Sequence, residues 1–169
     1  MSPIATERLT IRRFTLDDAA FIVELLNDPD WLRFIGDKAV RTEADARRYL
    51  AAGPLAMYEL HGFGLCAVER NDDRSPIGMC GLIRREGLDD IDIGYAFLPA
   101  ARGQGFAQEA AQAVLEYGLN ALGIARIVAI TDPDNTASSR LLQRIDMRFE
   151  RHIRIADGGT PVALYAIER

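Results

Sequence analysis

The stretch from Ile91 to Ala110 changes its period midway, and that change constrains the fold more than any other feature of the chain. Ile91, Ile93, Tyr95 and Phe97 alternate as one face of a strand. Pro99 cannot donate to a sheet ladder, so the strand should stop there. Arg102-Gly103-Gln104-Gly105 lacks apolar bulk and lets the backbone come close to a ligand. From Phe106 the spacing turns helical, with Ala110, Ala113, Val114, Tyr117 and Ala121 on the same face. A glycine turn that opens onto a helix is a place for a phosphate, because the first N–H groups lack helical partners and the dipole is positive there. A plain strand-to-helix turn is the alternative, although it does not need two glycines, small neighbours and a helix entry together.

The rest of the chain supplies strands and helices around that unit. Leu9 to Phe14 alternates as a first strand, and Thr15 then caps a helix over Ala19 to Leu26, with Asp17 and Asp18 in its first turn. Asn27 to Asp30 ends it, and Trp31 to Ile35 is a short apolar segment. A second helix is expected from Thr42 to Ala52, stopped by Gly53-Pro54. Gly62 to Glu69 and Ile77 to Arg84 are strands joined by a polar turn, so antiparallel pairing follows. Arg126 to Thr131 is apolar without alternation, as in a strand covered on both faces. A helix capped by Asp134 or Asn135 comes next. Met147 to Ile155 and Pro161 to Ile167 then form a terminal hairpin across Asp157-Gly158-Gly159-Thr160. Nothing divides residues 1–169, so one mixed α/β domain is predicted.

Composition narrows the function. A formal net charge of −5 disfavours a nucleic-acid partner and weakly favours cationic substrates. No apolar run is long enough for a membrane span, and no signal-peptide core opens the chain. Cys66 and Cys80 sit in apolar strand surroundings and read as buried, reduced thiols of a cytoplasmic protein. Neither is accompanied by a base, which argues against an acyl-cysteine. His61 and His152 lie too far apart, with too few companions, to suggest a metal site.

Two phosphate motifs fail at the turn. A P-loop requires Lys after its last Gly, where this chain has Phe106. A dinucleotide fingerprint requires Gly where this chain has Gln108, and a βαβ setting that the preceding strands do not offer. Arg102-Gly103-Gln104-Gly105-Phe106-Ala107 instead fits R/Q-x-x-G-x-G/A, and here the chain resembles the GNAT superfamily of acyl-coenzyme A N-acyltransferases. The resemblance runs through nearly the whole chain. Ile93-Gly94-Tyr95 before the turn, and Asn135, Ser138, Leu141 and Leu142 after it, are similar to the branch that acetylates ribosomal-protein N-termini. Asp146 departs from that branch, which has Gly there, and should alter a helix C-cap rather than the chemistry.

The resemblance implies a GNAT fold. This is a central, mostly antiparallel twisted sheet of six to seven strands flanked by about four helices and splayed at a cofactor cleft. It implies acetyl-coenzyme A as cosubstrate, no metal, and direct attack by a primary amine, either a protein N-terminus or a small molecule. Homodimers are compatible with the branch. An acyl-coenzyme A-sensing or partner-binding module without turnover is the alternative, and Asn135 and Ser138 speak against it. Backbone N–H groups from Gly103 through Gln104, Gly105 and Phe106 to Ala107 are expected to hold the pyrophosphate. Arg102 would add charge or shape the turn. Free backbone groups of Phe97 and Leu98 would pair with the pantetheine amides as an added strand does, and an N–H there would polarise the thioester carbonyl. Ser138 is the candidate acid for the leaving thiolate, or else a structural helix serine. Asn135 orients pantetheine or substrate, or simply caps its helix. Asp92 is the candidate base, or else a solvated edge acid. Glu109 reads as a dipole-compensating acid. Trp31, Phe34, Tyr58 and Phe63 line the acceptor pocket or pack the core, and the terminal hairpin is expected to contribute to that pocket.

Overall fold

The computed structural model describes residues 1–169. Its strands are β1 (Ile4–Ala5), β2 (Leu9–Arg13), β3 (Leu65–Arg70), β4 (Pro76–Ile83), β5 (Ile91–Phe97), β6 (Arg126–Thr131), β7 (Arg148–Ile153) and β8 (Val162–Glu168). They form one eight-stranded sheet in the order β1-β2-β3-β4-β5-β6-β8-β7. Every pair is antiparallel except β5 with β6. The helices are α1 (Ala19–Leu26), α2 (Pro29–Phe34), α3 (Glu43–Leu50), α4 (Ala56–His61), α5 (Phe106–Glu116) and α6 (Thr136–Arg144). The counts exceed the expected six to seven strands and four helices because β1 is a two-residue edge strand and α2 and α4 have six residues each.

Short polar turns suffice between antiparallel strands, but parallel β5 and β6 need the crossover that α5 provides. Alternation then distributes the strands between two cores. Cys66 and Val68 of β3, with Cys80 and Leu82 of β4, join Ala110, Val114 and Leu115 of α5. Ala67 and Met79, one residue out of step, join Ile22 and Leu25 of α1 and Leu50 of α3 on the opposite face. Both faces are therefore covered, which is why these central strands carry few polar residues. No helix is long and apolar enough to cross a membrane.

Thr15 forms its capping box with Asp18 over a 3-10 turn, Leu16–Asp18, that leads directly into α1. The expected stop at Gly53-Pro54 does not occur. A wide π turn, Ala51–Leu55, contains Pro54 and carries the chain on into α4. The wide turn tolerates the proline's missing donor, and Gly62, with φ +75°, ends the run instead. Asp146 has φ +65°, its N–H reaching Gln143 C=O while Met147 N–H reaches Leu142 C=O. It therefore occupies the left-handed C-cap position that favours glycine, as the departure at that residue suggested.

β5 and β6 are joined at two residue pairs, Ile91 with Ile127 and Asp92 with Val128. Beyond Asp92 the β6-facing edge of β5 has no strand partner, and the sheet opens there.

Candidate active site

The opening between β5 and β6 continues into a cavity of about 760 Å³, a size suited to a large cosubstrate and an acceptor. β5 divides its walls by alternation. Asp92, Gly94 and Ala96 belong to the α1–α3 face, whereas Ile93, Tyr95 and Phe97 belong to the α5 face.

The glycine turn forms one end. A 3-10 turn, Pro99–Ala101, follows β5, and Gly103 and Gly105 have φ +73° and +81°. Both glycines are needed for the left-handed backbone. A side chain at Gly103 would meet no atom within 4 Å, so the space above it is open. Gly105 caps α5 without a side-chain bond, which leaves first-turn N–H groups available. Open space, unpaired donors and a helix dipole together fit a pyrophosphate. Gly103, Gly105, Phe106 and Ala107 line the cavity, whereas Gln104 does not; its amide donates to Ala100 C=O at 2.9 Å.

Arg102 is committed to the fold. Its guanidinium donates to Phe97 C=O from Nε (3.1 Å) and Nη2 (2.9 Å), to Asp28 (2.6 Å) and to Asp30 (2.6 Å). It ties the turn to the start of α2 rather than presenting a spare charge. Leu98 also departs from expectation. Its N–H donates to Ile77 C=O, its C=O accepts from Ala101, and it does not line the cavity. By alternation Phe97 points its backbone the other way, toward the opening, as its bond with Arg102 shows. The Phe97 carbonyl is occupied by that arginine, so the donors left for an added chain are the N–H groups of Tyr95 and Phe97.

A second clamp on the turn was not visible in the sequence. Glu109 accepts from Thr6 Oγ1 (2.6 Å), Arg8 N–H (2.9 Å) and Arg8 Nε (2.7 Å). Arg8 Nη1 donates to Gln104 C=O at 2.8 Å, and its guanidinium lies 4.4 Å over the Phe106 ring. Glu109 thus does more than compensate a dipole: it binds the N-terminal segment to the loop.

On the α5 face, Asn135 caps α6, its Oδ1 accepting from Ser138 N–H at 3.2 Å. That leaves the amide nitrogen free, so capping and orienting a ligand are compatible. Tyr95 OH lies 2.7 Å from Ser138 Oγ. Burial pushes the Tyr95 phenol up to about 12, with the Ser138 hydrogen bond opposing, so the phenol keeps its proton. Tyr95 shares the strand face of Ile93 and Phe97, but 43 residues separate it from Ser138, and no local pattern links them.

On the other face, Asp92 is fully buried rather than solvated. Arg85 donates to its Oδ2 from Nε (3.3 Å) and Nη2 (3.2 Å), while Oδ1 has no partner. Burial raises the Asp92 carboxyl above its usual range, and the Arg85 charge opposes that shift. Trp31, Phe34 and Tyr49 line this half of the cavity. Tyr58 does not, since its hydroxyl accepts from Phe14 N–H and donates to Leu65 C=O inside the fold. Phe63 packs at the α5 side, and the terminal hairpin contributes no lining residue. Five basic side chains line the cavity against three acids, the reverse of the chain's acidic balance. Neither thiol lines the cavity: both are buried, and burial pushes Cys66 up to about 11.

The family model described as an acetyltransferase (GNAT) domain matches residues 8–148. An uncharacterized N-acetyltransferase of Bacillus subtilis, YnaD, is 33% identical over 147 residues, covering 87% of this chain and 83% of its own. The crystal structure of a GNAT-family acetyltransferase from Bacillus anthracis superposes with a TM-score of 0.81 at 29% identity, covering 99% of this chain and 98% of the other. The ribosomal-protein-S5-alanine acetyltransferase of Vibrio fischeri shares the fold, with a TM-score of 0.80 over 99% of this chain and 97% of its own, at 18% identity.

Proposed function

The chain belongs to the GNAT family of acetyl-coenzyme A-dependent acetyltransferases, and on that premise we propose that it moves an acetyl group to a primary amine by direct attack on the thioester. One observation carries the proposal. A single cavity is lined on one side by a buried carboxylate with a free oxygen, and on the other by a paired tyrosine and serine. The acceptor enters as an ammonium and gives one proton to Asp92, directly or through water. Its nitrogen then forms the C–N bond as the C–S bond breaks, and loses a second proton. The departing thiolate takes one proton from the Ser138 side, so one proton per turnover reaches solvent. Tyr95 N–H or Phe97 N–H at the free edge of β5 polarises the carbonyl. The first turn of α5, with Gly103 and Gly105, receives the pyrophosphate. Tyr95 fixes the direction of the Ser138 hydroxyl, and Asn135 offers its amide nitrogen to the pantetheine.

Calorimetry with coenzyme A, paired with thiol release across a panel of amines, tests this. Gly105→Glu should abolish coenzyme binding, and Ser138→Ala should lower turnover more than affinity. Unchanged affinity in the first variant would refute the phosphate placement. Coenzyme binding without transfer to any amine would refute the enzymatic reading.

A further inference from the structure

The pairing of Asp92 with Arg85 is incomplete in a specific way. An arginine and a carboxylate commonly meet fork to fork, with two parallel bonds that use both oxygens. Here both guanidinium bonds converge on Oδ2, at 3.2 and 3.3 Å. Asp92 Oδ1 is left buried without a partner, and Arg85 Nη1 makes no hydrogen bond. A buried acceptor without a donor is costly, so this carboxylate stands to gain from a ligand donor. The two spare groups have opposite sign and lie on one ion pair, and both residues line the same cavity.

We propose that the acceptor is a small zwitterion, a free α-amino acid or close analogue, whose ammonium meets the Asp92 carboxylate and whose carboxylate meets Arg85 Nη1. This rests on the acetyl-transfer function proposed above and narrows its acceptor. Such a ligand closes the open side of the ion pair into a ring of four alternating charges. The wall around it is apolar and aromatic, with Trp31, Phe34, Ile35 and Tyr49, so the side chain of the amino acid should be apolar. Tyr49 lies within the field of Arg85 and borders the same space. Lys38 adds a second cation to the lining and makes no ion pair. Arg85 and Lys38 together oppose a second ammonium, which disfavours polyamines. A peptide N-terminus has the ammonium but carries an amide where the zwitterion has its carboxylate, and leaves Arg85 Nη1 without an anion.

The experiment compares L-phenylalanine, L-leucine and L-methionine with their decarboxylated amines, their amides and tripeptides of the same N-terminal residue. Thiol release with acetyl-coenzyme A gives kcat/KM for each. The free amino acids should exceed the matched amines and amides by roughly tenfold or more, as expected where a site is built for a polar group. Arg85→Gln should shrink that preference to about twofold or less, and Arg85→Lys, which keeps the charge, should restore part of it. Coenzyme A affinity, read by calorimetry on the same variants, reports that they are folded. Equal or better use of amines, amides or tripeptides overturns the zwitterion while leaving acetyl transfer intact. So does an Arg85→Gln variant that lowers every acceptor equally. Transfer to no acceptor at all, with coenzyme A bound, overturns both.

Discussion

Glu109 offers the sharpest test of how the phosphate turn is held. Its carboxylate takes two hydrogen bonds from the N-terminal segment, from Thr6 Oγ1 and Arg8 N–H, and one ion pair from Arg8 Nε. The Arg8 side chain is 42% exposed, so the ion pair is worth about 0.5 kcal/mol. Hydrogen bonds to a charged acceptor are worth more, about 1–1.5 kcal/mol each once the solvent available to the Arg8 amide is allowed for. Glu109→Gln keeps an oxygen for Thr6 and Arg8 N–H and should cost about 0.5 kcal/mol. Glu109→Ala should cost about 2.5–3.5 kcal/mol, a fall in Tm of roughly 5–12 °C for a chain of this size. Because Arg8 also holds Gln104 C=O, the alanine variant should bind coenzyme A more weakly as well. Urea denaturation and calorimetry measure both effects. An alanine variant within about 0.5 kcal/mol of the parent would refute the clamp, as would a glutamine variant equally damaged.

Other expectations follow from the same geometry. Tyr95→Phe removes the partner of Ser138 Oγ and should lower kcat about tenfold or less with little change in acceptor KM; steady-state kinetics decides, and an unchanged kcat would make the hydroxyl pair structural. Asp92 has a raised pKa in the folded protein, so the proton binds the folded state more readily than the unfolded chain. Its stabilising contribution is complete below the ordinary carboxylate value and is lost as pH rises through the raised one. Relative to Asp92→Asn, the parent should lose stability across that window, and its kcat/KM should show an acidic limb displaced upward that the variant lacks. Asp146→Gly relieves a left-handed residue at the end of α6 and should stabilise by about 0.5–1 kcal/mol in urea, with activity unchanged.

The glycine turn was legible because left-handed backbone leaves a residue-type signature, and Gly103 and Gly105 carry it. The alternation of β5 was equally plain, and it correctly set Asp92 apart from Ile93 and Tyr95. Long-range partners leave no such mark. Arg85 reads as an ordinary loop arginine until β4 and β5 pair and bring it to Asp92. Thr6 and Arg8 read as a polar lead-in to a strand until α5 packs beneath them. The stop at Gly53-Pro54 was misplaced for a local reason, since a π turn accommodates a proline that an α turn would reject. Leu98 was misassigned by one residue of alternation. The next backbone donor points the other way, and a strand edge is read residue by residue.

The split edge of β5 has an evolutionary consequence. Toward the opening it offers main-chain N–H groups, which every residue type but proline supplies. Along the strand its side chains alternate between the two halves of the cavity. A cosubstrate recognised along that edge is insulated from substitutions that reshape the acceptor half. Trp31, Phe34, Tyr49 or Arg85 can drift while the coenzyme's contacts stay as they are, so new acceptor preferences lie within reach of single substitutions.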